Sequence, residues 1–511
     1  DLPEPLMSWD QIRQVAQSDL VEIASQTYDL HKGIQYNPQG NAGPAISVRE
    51  FRPRDKMYET EEEYRRRLVV DFGKQEILFR AKLGLRPRAV VWPYGRYNEI
   101  SNSVAQEQGY RFCFSLEEGL AKTDQMQSIR RNVIENRPIE DFVRQVTQYK
   151  PERPLMRAIQ VDLDLIYDPH SYEQTDKNLG RLIDRLVAMK VNTVFLQAFC
   201  DLDGTGDIQS VYFQNRVMPV KADIFSHAVH QMIIRGIKVY AWMPTLSFVL
   251  PDIALNESLR VRENEDGKIR VSHSWYRRLT PFSPTVINIV RMLYEDLGAH
   301  SQIHGVLFQD DAYLTDKEDF HPLALECYKA SLGREISMDD LANDEALALR
   351  WARYKTEILI DFTKTLEKGL KRYRPNALFA RNLYPVVMTN PHSEKWLAQN
   401  YEIFLKNYDE VVVMAYPQME KIEQPSPWLE DLVGRAKDFP KGPQKTVFKV
   451  QTYDWGNEKW VNAGLVLSEM RDILASGGRH LAYYPDDFTR DKPSLGKTRL
   501  EMSTCTYPFF Q

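Results

Sequence analysis

The chain has 511 residues, 43% hydrophobic and 27% charged, with a net charge of −5 and a pI near 6.1. That is enough chain for a barrel-sized domain and a smaller one. It carries no Lys/Arg-rich run to hold nucleic acid, no apolar run long enough to span a bilayer and no signal peptide. Cys113, Cys200, Cys327 and Cys505 show no paired spacing and no CxxC, so they argue neither for zinc nor for a disulfide framework. Because it begins at Asp1 without methionine, the chain reads as a processed or excised piece, with room upstream for an export signal.

In chain order, residues 1–150 differ in character from the rest. Two short strands are expected there, at residues 20–25 (LVEIAS) and 89–92 (AVVW), with a charged helix over residues 60–83 between them. Residues 37–53, polar and rich in Gly and Pro, read as a loop. A polar stretch with two prolines at residues 149–154 (YKPERP) marks the boundary to a second domain, residues 155–511.

In that second domain one pattern recurs: a short β-branched or aromatic run, a polar or aromatic end, a loop, then a helical stretch. The runs are residues 157–162 (RAIQVD), 193–199 (TVFLQAF), 237–243 (IKVYAWM), 305–310 (GVLFQD), 377–382 (ALFARN), 411–416 (VVVMAY), 446–452 (TVFKVQT) and 480–485 (HLAYYP). Leu179, Leu182, Ile183 and Leu186 recur at helical spacing between runs, as do Ile358, Phe362, Leu366 and Leu370. A third helix is expected to start at Ser283-Pro284 and to stop at Gly298. Strands alternating with helices in this number predict an α/β fold, a (β/α)8 barrel whose site lies at the carboxyl ends of the strands.

The most informative of those ends is GVLFQDDAYLTDKEDF, residues 305–320, where an apolar run opens into an acidic loop. Asp310, Asp311, Asp316 and Asp319 are the catalytic candidates. Side chains alternate along a strand, so Asp310 and Asp311 do not both face the mouth if the strand continues through them: one reacts and the other is a structural partner. Other strand ends supply Asp162, Asp164, Asp201, Asp203 and Asp486 as acids, Arg381 and Asn382 as polar groups, and Trp242, Tyr384, Tyr416, Tyr453, Trp455, Tyr483 and Tyr484 as aromatic platforms. Paired carboxylates with aromatic planes suit glycoside cleavage, which needs a proton on the leaving oxygen and stabilisation of an oxocarbenium-like centre. The run DLDGTGD at residues 201–207 reads as a glycine turn shaping the cleft, since the closing Glu and preceding helix of an EF-hand are missing.

SQTYDLHKG at residues 25–33 and RPRAVVWPYGRYNE at 86–99 resemble the second half of a polysaccharide deacetylase domain. VDLDLIYDP (161–169), LQAFCDLDGTG (196–206), NRVMPVKADIF (215–225), YAWMP (240–244) and LFQDDA (307–312) resemble the C-terminal half of PgaB-type proteins. The resemblance covers nearly the whole chain. It implies a metal-dependent N-deacetylase domain, here incomplete (residues 1–150), joined to a glycoside hydrolase barrel acting on partly de-N-acetylated poly-β-1,6-N-acetylglucosamine, a biofilm exopolysaccharide. It also implies a periplasmic location with possible outer-membrane anchoring, a polysaccharide substrate, an export porin as partner, and a monomer. No cofactor is expected for the barrel; a divalent metal is expected only in an intact deacetylase domain. The family's upstream Asp pair has no counterpart here, and of its two His ligands spaced by five residues only His31 is present, Gln26 standing at the first position. A neutral amide is a poor transition-metal ligand, so the site reads as degenerate.

Overall fold

The computed structural model describes residues 6–134, 138–147 and 154–505. The chain divides into two compact units: Asp1–Glu152 with Lys371–Pro375, and Arg153–Leu370 with Asn376–Gln511. The expected linker at residues 149–154 lies, apart from Pro154, outside the described residues.

The first unit is built around helix Glu61–Leu83, capped at its start by Thr60 and stopped by Gly84 at φ 66°. The helix packs Tyr64, Leu68, Phe72 and Phe79 inward. Strand Ala89–Val91 pairs in parallel with Phe112–Phe114. The strand expected over residues 20–25 is not one: only Ser25 bridges, to Val90, because Leu20 and Val21 are exposed and have no sheet to face. The segment expected as a loop over residues 37–53 contains strand Ala42–Pro44, paired with Gly33–Gln35.

In the second unit eight parallel strands close on themselves. Labelled within the barrel, they are β1 Arg157–Val161, β2 Thr193–Gln197, β3 Lys238–Met243, β4 Gly305–Phe308, β5 Leu378–Leu383, β6 Glu410–Ala415, β7 Thr446–Gln451 and β8 His480–Tyr484. Each pairs with the next, and β8 closes on β1 with Leu481 opposite Arg157. Nearly every strand position is buried, since one face fills the bore and the other meets the helices, and this is why the runs read as continuously apolar. At Gly305 no side chain fits: a Cβ would lie 2.4 Å from the Leu378 carbonyl oxygen and 2.6 Å from the Tyr240 ring.

The outer helices follow the expected periodicity. Helix Tyr172–Met189 buries Leu179, Leu182, Ile183 and Leu186, and Glu345–Lys371 buries Phe362, Leu366 and Leu370, with Ile358 half-buried at the edge of the core. Helix Pro284–His300 starts as expected, with the Ser283 hydroxyl accepting from Val286 N–H, but runs through Gly298 rather than stopping there. Gly298 serves close packing instead. Its Cβ position is 2.9 Å from the Leu370 carbonyl oxygen, and that of Gly369 is 2.9 Å from the Arg291 carbonyl oxygen, so the two helices touch backbone to backbone.

Candidate active site at the barrel mouth

Asp310 lies two residues beyond the end of β4 at Phe308. Its carboxylate accepts from the Tyr276 hydroxyl and from the Tyr384 hydroxyl, each at 3.2 Å. Burial and the Asp310 charge hold both phenols far above their ordinary range, so they remain protonated donors. Beneath, Lys449 stands in the bore on β7, with Nζ 2.8 Å from Gln160 Oε1 on β1 and 2.9 Å from Asn382 Oδ1 on β5. Burial pushes its ammonium down to about 7, with the Asp310 charge opposing. Burial pushes Asp310 up in turn, against the attraction of Lys449.

At the end of β1, Asp162 accepts from the Tyr484 hydroxyl at 3.2 Å. Burial, with the neighbouring charge of Asp164, pushes Asp162 up to about 7. Asp201 rises to about 6, chiefly through burial, although Gly206 N–H donates to it. Asp164 knits this side together, accepting from Tyr212 hydroxyl at 2.6 Å, Gln197 Nε2 at 2.8 Å and Asp201 N–H at 2.9 Å. Aromatic rings line the same space. Trp455 stacks on Tyr484 at 5.9 Å and leans on Tyr416 at 5.9 Å, while Trp242 meets Tyr484 edge-on at 5.4 Å. The Trp242 indole N–H is buried with no acceptor among the described residues.

Several expected site residues are placed elsewhere. Asp311 is fully buried and points back to the segment after β3, accepting from Thr245 N–H and Oγ1, Leu246 N–H and Ser247 N–H. Asp319 is also buried and ties Arg262 N–H to His321 N–H, each at 2.9 Å. Asp316 is exposed on a turn. Asp486 turns away from the mouth to pair with Arg185 of helix Tyr172–Met189 at 3.0 Å, and Tyr483 turns with it, donating to Asp486 at 2.6 Å. Alternation along β8 sends Tyr483 to the helix layer and Tyr484 to the mouth. Arg381 likewise faces outward, bonding Tyr408 and the Ala312 carbonyl, while its neighbour Asn382 faces the bore. Asp203 is exposed and turned onto Thr205, and Tyr453 packs on Trp460 in a small hairpin.

Lys449 and Tyr276, with Gln160, Gln197 and Tyr212, stand at the site without having been singled out from the sequence. Lys449 had a signal, a lone charge inside the apolar run TVFKVQ; Tyr276 had none, since it comes from an irregular segment between β3 and β4.

In the first unit His31 is exposed, its ring edge-on to Tyr94 at 4.5 Å. Among the described residues no three His, Cys, Asp or Glu side chains gather as metal ligands. No described helix is long and apolar enough to cross a membrane.

A closed parallel barrel with carboxyls, phenols and aromatic planes at its carboxyl-terminal mouth is the architecture of barrel glycoside hydrolases. The match to the model of the hypothetical glycosyl hydrolase family 13 spans residues 160–484, and the chain belongs to that family and to its PgaB-type proteins. It is 37% identical, over 99% of its length and 76% of the relative's, to the poly-β-1,6-N-acetyl-D-glucosamine N-deacetylase of Escherichia coli strain K12. It is similar to the PgaB (BpsB) glycoside hydrolase domain of Bordetella bronchiseptica, with 38% identity, a TM-score of 0.64, and coverage of 68% of this chain and 99% of that one.

Proposed function

We propose that the barrel hydrolyses partly de-N-acetylated poly-β-1,6-N-acetylglucosamine, with Asp310 as the reacting carboxyl. The observation that supports this most is the setting of Asp310: a carboxyl at the mouth, flanked by the Tyr276 and Tyr384 hydroxyls and underlain by Lys449. Burial favours its protonated form and outweighs the phenols and the ammonium, which stabilise the ionised one. Asp162, pushed to about 7 at the end of β1, supplies a second carboxyl that is part protonated near neutral pH. Such a pair has the means to protonate the leaving oxygen and to stabilise positive charge at the anomeric carbon. The Trp455 and Tyr484 rings offer a sugar apolar faces.

The first unit is, in this reading, a remnant or fragment of a metal-dependent deacetylase domain, and the protein acts in the periplasm beside an exporter. The test is release of short oligosaccharides from the partly deacetylated polymer by the purified protein. Retention of the polymer without cleavage would instead make the barrel a binding module that guides the chain.

A further inference from the structure

We propose that Trp275 forms an additional sugar-binding platform on the β3–β4 side of the mouth, holding a pyranose ring of the same polymer beyond the ring engaged at Asp310. This rests on the substrate reading above and extends it to a part of the surface with no assigned role. Trp275 is 72% exposed, more than any other aromatic among the described residues. An indole left in water forgoes the burial that ordinarily stabilises it, so most of its face is available to an apolar partner.

Its position ties it to the site. Trp275 directly precedes Tyr276, whose hydroxyl donates to Asp310 at 3.2 Å, so the platform is joined to the reacting carboxyl through one residue. The other side of the ring pair is fixed by the turn at Gly206. A Cβ at Gly206 would lie 3.0 Å from the Tyr276 ring and 3.6 Å from Trp275 Nε1, and the backbone there has φ +74°. Any larger residue at 206 would displace Tyr276 and disturb Trp275, so the glycine admits both rings against the loop that carries Asp201. One edge of the indole therefore rests on this turn while most of its surface faces solvent.

The barrel order supplies the direction. β3 and β7 are four strands apart in the closed sheet, so the segment carrying Trp275 lies across the mouth from the Trp455 segment that follows β7. A polymer passing over Asp310 from the Trp455 and Tyr484 pair meets Trp275 on its way out. Sugar C–H faces stack on such planes without needing charge, so the contribution of Trp275 is insensitive to salt, unlike that of the acids.

The experiment measures binding and cleavage of a disaccharide and a hexasaccharide of partly de-N-acetylated β-1,6-glucosamine by the wild type, Trp275→Ala and Trp275→Tyr. The expected result is a roughly three- to tenfold weaker affinity of Trp275→Ala for the hexasaccharide at low and high salt, an unchanged affinity for the disaccharide, and substantial recovery in Trp275→Tyr. Unchanged hexasaccharide binding in Trp275→Ala overturns the proposal, as does an equal loss for both lengths, which would make Trp275 a support for Tyr276. If the wild type binds neither oligomer, the substrate reading fails and the platform fails with it.

Discussion

Asp310 and Asp311 are neighbours in the chain whose carboxylates face opposite ways: Asp310 meets two phenols at the mouth, while Asp311 turns back into the protein and holds the start of the segment after β3. The same substitution at the two positions should therefore separate chemistry from stability. Asp310→Asn is expected to lower kcat/KM by roughly a hundredfold or more with little change in unfolding free energy. Asp311→Asn places an amide against three backbone N–H groups and a hydroxyl, and should cost about 2 to 4 kcal/mol in urea denaturation. Equal activity of Asp310→Asn and wild type would remove Asp310 from the reaction.

Lys449 offers a test through pH. It is buried, with Gln160 and Asn382 as its hydrogen-bond partners, and its positive charge favours the ionised form of Asp310. The groups around Asp310 are Tyr276, Tyr384, Tyr313, Tyr416, Tyr484, Asp311 and Lys449. Of these only Lys449 is cationic. Replacing it with methionine should raise the Asp310 pKa further, shifting the limb of the pH–rate profile that belongs to Asp310 toward higher pH. A profile displaced the other way, or unmoved, would show that Asp310 does not sense this ammonium.

The eight strands and the helices between them were legible because a parallel barrel buries both faces of every strand, which leaves a compact apolar run at each position. Asp310 and Asp311 do face opposite ways, but the alternation argument required a strand running through both, and β4 ends at Phe308. Asp319 and Asp486 were misplaced for a common reason. A strand-end acid looks the same in sequence whether it faces the cleft or binds a partner distant in the chain, and Arg262 and Arg185 lie 57 and 301 residues away. The segment at residues 20–25 failed as a strand because hydrophobic residues predict burial only when an element is there to cover them.

Glu318 and Arg278 form a fully buried ion pair at 2.8 Å that anchors the loop carrying Asp316. The Arg278 charge, with donors from Ser272 and Thr315, outweighs burial and holds the Glu318 carboxyl down at about 2, below its ordinary 4.5. A depressed folded-state pKa gives stability that is present above about 4.5 and lost as pH falls toward 2. Glu318→Gln should cost roughly 3 kcal/mol or more at neutral pH, since it leaves Arg278 charged and unpaired, and the variant should lose less stability than wild type on acidification. Parallel acid unfolding curves for the two proteins would contradict this.

Asp162 behaves in the opposite sense. Its folded-state pKa stands at about 7 against 3.8 in the unfolded chain, so between those values the folded protein holds the extra proton. The contribution of this group to stability therefore falls as pH rises from about 4 to about 7. Asp162→Asn keeps the side chain neutral throughout, and its melting temperature relative to wild type should increase between pH 4.5 and pH 8. A difference that stays constant with pH would place the Asp162 pKa near its ordinary value.

The acids that remain near the mouth, Asp162, Asp164, Asp201 and Asp310, outnumber the single buried cation Lys449, so their field should favour glucosamine units bearing ammonium groups over neutral N-acetylated ones. At low salt a partly deacetylated oligomer is expected to bind more tightly than a fully acetylated one of equal length. The advantage should shrink as salt rises, because charges separated by more than about 8 Å are largely screened at physiological ionic strength. Stacking on Trp455 and Tyr484 acts on both oligomers alike and sets the affinity that remains at high salt. Calorimetric titration of matched oligomers at low and high salt separates the two contributions. Equal affinities at low salt would leave the aromatic rings as the sole recognition element and strip the acids of a part in selecting the substrate.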